Sequence, residues 1–296
     1  MSKILPLTND VVMQMYFTRK GNEEQLKQFI KAVTHLTDDD LAKVQVENPK
    51  LQKDKVGHKD FIVDVNVTTK TGQRINIDVQ VQNHANFIER MVAYNARNYA
   101  SQLDRGEDYE KLRESISIVV VKFPLFKDTA EFYEHILFRR NNRKIFTTAQ
   151  QFYIIDLTKL PDELTDSKTR WAALFNAQSQ EELKMLSRDY EELRAAADKL
   201  IELSADKEVR YLAQRRRDGE MLRKTLEADA ERRGLERGFE RGLESGLERG
   251  LVQGRDERNV EIAKSLLTTD MSFDEIAIHS GLPIEQIQIL ALEMNC

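Results

Sequence analysis

The chain of 296 residues has one cysteine, one tryptophan, five prolines and twelve glycines. Each shortage excludes something. The lone cysteine, Cys296, can neither close an internal disulfide nor assemble a thiolate zinc site, which fits a reducing cytoplasm. No apolar run approaches the roughly 18 residues that a membrane span needs. The opening MSKILPLTND also lacks the apolar core of a signal peptide, so neither membrane insertion nor secretion is expected. The five histidines are scattered, which gives no sign of a Ser-His-Asp or Cys-His arrangement, and no Walker-type glycine loop is present. With 41% apolar and 32% charged residues, the chain is too apolar for general disorder and long enough for about two domains.

The formal net charge of −5 is unevenly spread. Residues 1–178 carry 26 Lys+Arg against 24 Asp+Glu and residues 179–296 carry 19 against 26, so a segment of +2 is joined to one of −7. These are different kinds of chain, and they divide the expected organisation: an α/β domain over 1–178, a charged helical region over 179–233, a repeat over 234–254 and a small helical module over 255–296.

In the first segment, Asn9 and Asp10 offer helix N-cap chemistry, and apolar residues recur at helical spacing over 10–17 and 23–36. Residues 61–68 then alternate, with Phe61, Val63, Val65 and Val67 on one face. After the turn sequence Lys70-Thr71-Gly72-Gln73, a second strand sets Ile75, Ile77, Val79 and Val81 against Arg74, Asn76, Asp78, Gln80 and Gln82. An amphipathic helix over 87–103 and two apolar runs, 116–123 and 152–157, complete the pattern; the polar run 139–144 bounds the last strand. Helix alternating with strand around a hairpin predicts a mixed sheet flanked by helices.

Chemistry is expected on the polar face of the second strand. Residues i and i+2 of a strand project together, so Asp78 and Gln80 emerge one pleat apart. If the hairpin sets both apolar stripes on one face, Asp64 approaches Asp78. Two carboxylates so placed repel unless a divalent cation lies between them, and Mg²⁺ favours such oxygen ligands. A metal there would polarise a phosphoryl oxygen and lower the pKa of a bound water. Alternating polar residues also describe a plain solvent face, and the residues alone leave that reading open. Arg90 and Arg97 read as a solvated or salt-bridged helix face, and Lys122 as a strand-end charge.

Asp64, a hairpin and then Asp78-Val79-Gln80 resemble the PD-(D/E)xK nuclease core, in the variant of the recombination-promoting nuclease and transposase-like family. Asn9-Asp10-Val11-Val12 is similar to that family's opening helix, Gly106-Glu107-Asp108-Tyr109 follows the long helix as it does there, and 155–160 fall where its late strand ends. The resemblance implies a restriction-endonuclease-like fold, followed here by a long all-helical C-terminal region. It also implies a metal-dependent endonuclease acting on double-stranded DNA in recombination, transposition or genome defence. By the same resemblance Asp64 and Asp78 are the Mg²⁺ ligands, with Mn²⁺ as an alternative ion. Asp10 is the helix acid of the site, and Gln80 stands where the superfamily more often has Lys. A neutral amide orients water but does not offset charge as an ammonium does, which implies a slow nuclease. The rival expectation is a weak or inactive nuclease fold serving as a nucleic-acid-binding or oligomeric scaffold.

The second segment reads as long helices, with Leu183, Leu186, Tyr190, Leu193 and Ala197 at three- and four-residue steps. Half of all the glycines then fall in GLERGFERGLESGLERGLVQG, at every fourth position from Gly234 to Gly254, beside Leu235, Phe239, Leu243, Leu247 and Leu251. Each interior glycine costs a helix about 1 kcal/mol relative to Ala. A helix whose glycine face admits a second backbone explains both stripes, and predicts association with another copy or with another helix of the chain. Beyond it, Ser272-Phe273-Asp274-Glu275 is a capping box, Gly281 can end that helix and Pro283 can begin the next, a helix-turn-helix pattern. Residues 265–296 hold five acids and no Lys or Arg, so this module is expected to contact protein or cap the helical tail, not to read DNA.

Overall fold

The computed structural model describes residues 4–47 and 65–294, so Asp64, Phe61 and Val63 lie outside the described residues. The chain forms two compact units, Met1–Asp218 and Gly219–Cys296. Among the described residues no helix is long and apolar enough to cross a membrane.

The first unit begins with α1 (Asp10–Thr18) and α2 (Glu23–Val33). The Asn9 side chain caps α1 by accepting the Val12 N–H at 3.1 Å. Glu23 and Glu24 in the first turn of α2 and Lys31 in its last complement the helix dipole. Six strands follow in one sheet: β1 (Val44–Glu47), β2 (Val65–Thr69), β3 (Arg74–Gln80), β4 (Ser115–Val121), β5 (Tyr133–Arg139) and β6 (Ile145–Asp156), in the order β1-β2-β3-β4-β6-β5. β2 and β3 are the expected hairpin, with Val65 opposite Ile77 and Val67 opposite Ile75. Its turn needs Gly72, at φ +91°, where an added Cβ would also meet Arg113 Cγ at 3.1 Å. α3 (Phe87–Ala100) links β3 to β4, which pair in parallel, as do β4 and β6.

Two strands escape the sequence pattern. β1 is short, and β5, Tyr-Glu-His-Ile-Leu-Phe-Arg, mixes charge with apolar residues because no residue of this strand is fully buried. The polar run 139–144 is therefore the connection between β5 and β6, and β6 starts at Ile145, well before the expected 152.

The sheet is packed on both faces. On one, Val65, Val67, Ile75, Ile77, Val79, Ile116, Ile118 and Val120 meet α1, α2 and α4 (Ser167–Asn176). Phe29 is the hub there, with ring centroids 5.3 Å from Phe17, 5.4 Å from Trp171 and 5.1 Å from Phe175. α5 (Gln180–Asp189) and α6 (Glu191–Ala205) join the same core through Leu183, Leu193, Ala196, Ala197, Leu200 and Leu203. The compact unit thus runs to Asp218, past the boundary read at 178 from the change in composition. On the other face, α3 covers a smaller core of Phe87, Met91, Val119, Val121, Phe123, Phe152 and Ile154.

α7 (Lys207–Leu266) is a 60-residue helix within which the unit boundary falls. In the second unit the glycine repeat is helical. Among the described residues nothing lies within 4 Å of a Cβ built on any of its six glycines, and the Leu/Phe stripe is 64–76% exposed. α8 (Phe273–Ser280) opens on the expected Ser272–Glu275 capping box and ends at Gly281, φ +70°. α9 (Ile284–Met294) follows Pro283. Ile276, Leu282, Ile287 and Leu290 close around Ala263 of α7 as a small core.

Candidate active site

Hairpin pairing and parallel pairing together fix where the side chains of β3 go. Ile75, Ile77 and Val79 enter the large core, so Asn76, Asp78 and Gln80 project to the face that α3 covers. That face is not a solvent face. Asn76 is buried and Asp78 is 9% exposed. Gln80 and Asp78 are brought together: Gln80 Nε2 donates to both Asp78 carboxylate oxygens, at 3.1 and 3.2 Å. At the end of β4 the Lys122 N–H donates to the Gln80 carbonyl at 2.9 Å, which extends the β3–β4 pairing past the motif and fixes the strand end from its backbone.

Behind this pair lies a buried amide network. Asn95, in the stripe that α3 turns inward with Phe87 and Met91, donates through Nδ2 to Ser117 Oγ at 2.9 Å and to the Ser115 carbonyl at 3.1 Å. Ser117 Oγ in turn donates to Asn76 Oδ1 at 2.6 Å. An unpaired buried polar group costs about 1–3 kcal/mol, so the network sets where α3 sits over β3 and β4. Sequence reasoning passed over Asn95. The available signal was an amide at the i+4 position of an otherwise apolar buried stripe. Arg90 departs from a solvated charge: its guanidinium lies 5.5 Å from the Phe87 ring centroid, and its buried Nε has no hydrogen-bond partner among the described residues.

Asp10 stands at the start of α1, in the helix layer on the large-core face of the sheet. Its carboxylate pairs with the Arg216 guanidinium of α7, a partner that the sequence did not suggest. α1 also runs beside β2 and β3. The fourth expected residue, Asp64, lies outside the described residues.

A buried carboxylate held by an amide at the end of a central strand, on a mixed sheet flanked by helices, is the chemistry and architecture of a nuclease-like α/β domain. A family model described as PD-(D/E)XK nuclease family transposase matches residues 7–224. The chain belongs to that family, whose members are nuclease- or transposase-like. No curated protein and no solved structure gives a significant match.

The donor set suits a hard cation. Asp78 offers a largely buried carboxylate, and Mg²⁺ takes one or two carboxylates while retaining waters. Among the described residues no group of three or more His, Cys, Asp or Glu converges as a metal cage.

Proposed function

We propose that the protein is a metal-dependent endonuclease that hydrolyses phosphodiester bonds of double-stranded DNA, in recombination, transposition or genome defence. One observation supports this above the others: on a chain of the PD-(D/E)XK family, the Asp78 of an Asp-Val-Gln run that resembles the motif's (D/E)xK is buried and held by Gln80. Asp64 completes the ligand pair. The β2–β3 pairing reaches Val65 opposite Ile77; in sequence Asp64 precedes Val65 and Asp78 follows Ile77.

Asp64 and Asp78 would hold Mg²⁺, or Mn²⁺ in its place. When bound, the ion supplies Lewis-acid polarisation of the phosphoryl oxygen and eases deprotonation of water. The protein's own groups do the rest. Gln80 fixes the Asp78 carboxylate through its amide nitrogen and turns its carbonyl oxygen toward accepting a hydrogen bond from the attacking water. Asp10 would serve as an outer ligand or base from α1, which packs on the opposite face of the sheet beside β2 and β3, where its carboxylate pairs with Arg216. Without a lysine at position 80 the site offsets less of the charge that develops on the phosphoryl group, so turnover is slow. The C-terminal helices serve association between copies.

A second reading is favoured by the same Gln80: a domain that binds nucleic acid and assembles without cutting it. Plasmid cleavage with Mg²⁺ or Mn²⁺ separates the two. The wild type is expected to nick, and Asp78→Ala and Asp64→Asn to lose about 10²–10³-fold in rate. Equal nicking by all three proteins would sink the catalytic assignment.

A further inference from the structure

Arg90 carries a feature that the chemistry above leaves unused: its Nε is buried, and no group among the described residues accepts from it. Its place follows from the contacts of α3. Phe87 meets the Phe123 ring at 5.8 Å, just past the end of β4, while Asn95 bonds Ser115 and Ser117 near its start, so α3 runs antiparallel to β3 and β4. Arg90 lies about 7.5 Å of helix back from Asn95 toward the end of β4. A strand advances about 3.3 Å per residue, which sets Arg90 level with Ile118 and Val119. Their neighbours on β3 are Ile77 and Asp78. Direction follows from the helical turn of about 100° per residue: Ser101 comes back to within about 20° of Arg90, and Asn95 stands about 140° away. Ser101 Oγ accepts from Arg74 Nη1 of β3 at 3.2 Å, whereas Asn95 bonds to β4 and β6. Arg90 therefore stands on the flank of α3 above β3, at the height of Asp78.

We propose that Arg90 binds the phosphodiester that reaches the Asp78 site. The inference rests on the nuclease reading for the substrate, and on the contacts of α3 alone for the position. The guanidinium carbon lies 5.5 Å from the Phe87 ring centroid. A ring face orients the planar fork without using its N–H donors. That fork matches phosphate oxygens, and a buried donor left unpaired is costly until an acceptor arrives. The residue at position 80 is the neutral Gln80, so a guanidinium held here returns a positive charge beside the Asp78 carboxylate. Arginine stays protonated, so its part is binding and charge compensation and not proton transfer.

Arg90→Met keeps an apolar stem against Phe87 and removes the fork. In EDTA, where nothing is cut, it is expected to bind a duplex of about 20 base pairs roughly tenfold more weakly than the wild type by fluorescence anisotropy, and to lower the slope of log affinity against log salt by about one. With Mg²⁺ or Mn²⁺ it is expected to cleave about 10²–10³-fold more slowly. It is expected to melt no lower than the wild type, since it loses an unsatisfied donor. Arg90→Lys keeps the charge, and is expected to keep the salt slope and recover part of the rate. Should Arg90→Met fail to fold by circular dichroism, Arg90→Gln takes its place. A wild type that binds without cutting sinks the nuclease reading alone, and the salt slope still decides for or against the contact. An unchanged slope overturns it. So does an equal loss of affinity in Arg90→Lys with lowered melting in both variants, which makes Arg90 a structural residue.

Discussion

β3 presents two faces built to different rules. Ile75, Ile77 and Val79 join a core of aromatic rings and aliphatic side chains from helices distant in sequence. One residue along in each case, Asn76, Asp78 and Gln80 lie under a single helix among hydrogen-bonded amides and hydroxyls. A strand gives both faces the same backbone, so what differs is the layer laid over each. Fold stability is concentrated where α1, α2, α4, α5 and α6 converge, and a buried carboxylate is tolerated where donors are already in place.

The largest test of that division compares neighbours. Ile77→Ala is expected to cost about 2–5 kcal/mol of unfolding free energy by denaturant titration, since it opens a cavity beneath a packed helix layer. Asp78→Ala is expected to spare stability and to lose cleavage. A stable, inactive Ile77→Ala would break the comparison. A smaller effect is expected on the polar face itself: Asn95→Ala strands Ser117 and the Ser115 carbonyl, at about 1–3 kcal/mol, and loosens α3 in hydrogen exchange. Unchanged exchange in α3 would mean that the apolar contacts of Phe87 and Met91 hold the helix unaided.

The smallest effect lies on the large-core side, at its rim. His35 Nε2 stands 3.2 Å from Glu114 Oε2 and its Nδ1 2.7 Å from Tyr153 Oη. Its hydrogen bond to Glu114 holds the His35 pKa above the ordinary value, and the same bond holds Glu114 below its own. A raised histidine pKa adds stability that is present below the unfolded value of about 6.5 and fades as pH rises through the folded pKa. The Glu114 share is present above about 4.3 and fades as pH falls. The pair therefore contributes most between these values. Nearby His135, lowered chiefly by burial, opposes it on acidification. His35→Gln is expected to lose at most about 1 kcal/mol near pH 6, after solvent screening, and almost nothing at pH 9. A loss that grows toward pH 9 would refute the ion pair.

Periodicity made much of this architecture legible. α1, α2, α3, the β2–β3 hairpin, β4 and the Ser272 cap follow from spacing and cap chemistry, because each buries one clean stripe or needs one particular residue. β5 was hidden because a partly exposed strand at the sheet edge tolerates Glu134, His135 and Arg139. The charged helices after 178 read as a separate region because their polar faces dominate the composition, while Leu193, Ala197 and Leu200 point into the first unit's core. Of the site, Asp78 and Gln80 were legible as a strand pair. Arg216 was not, since an ion pair across some two hundred residues leaves no periodic trace.

Those long-range closures also set a clock. The Tyr16 hydroxyl donates to the Ala196 carbonyl at 2.9 Å, and the Leu5 N–H donates to Ser204 Oγ at 3.0 Å across 199 positions. A ribosome adding about 5–20 residues per second needs roughly ten to forty seconds to pass from the first helix to these partners. Until then the nascent chain has sheet strands but no completed layer to seat α1, so a cell making this protein carries an open α/β sheet for many seconds before the helices that close it exist.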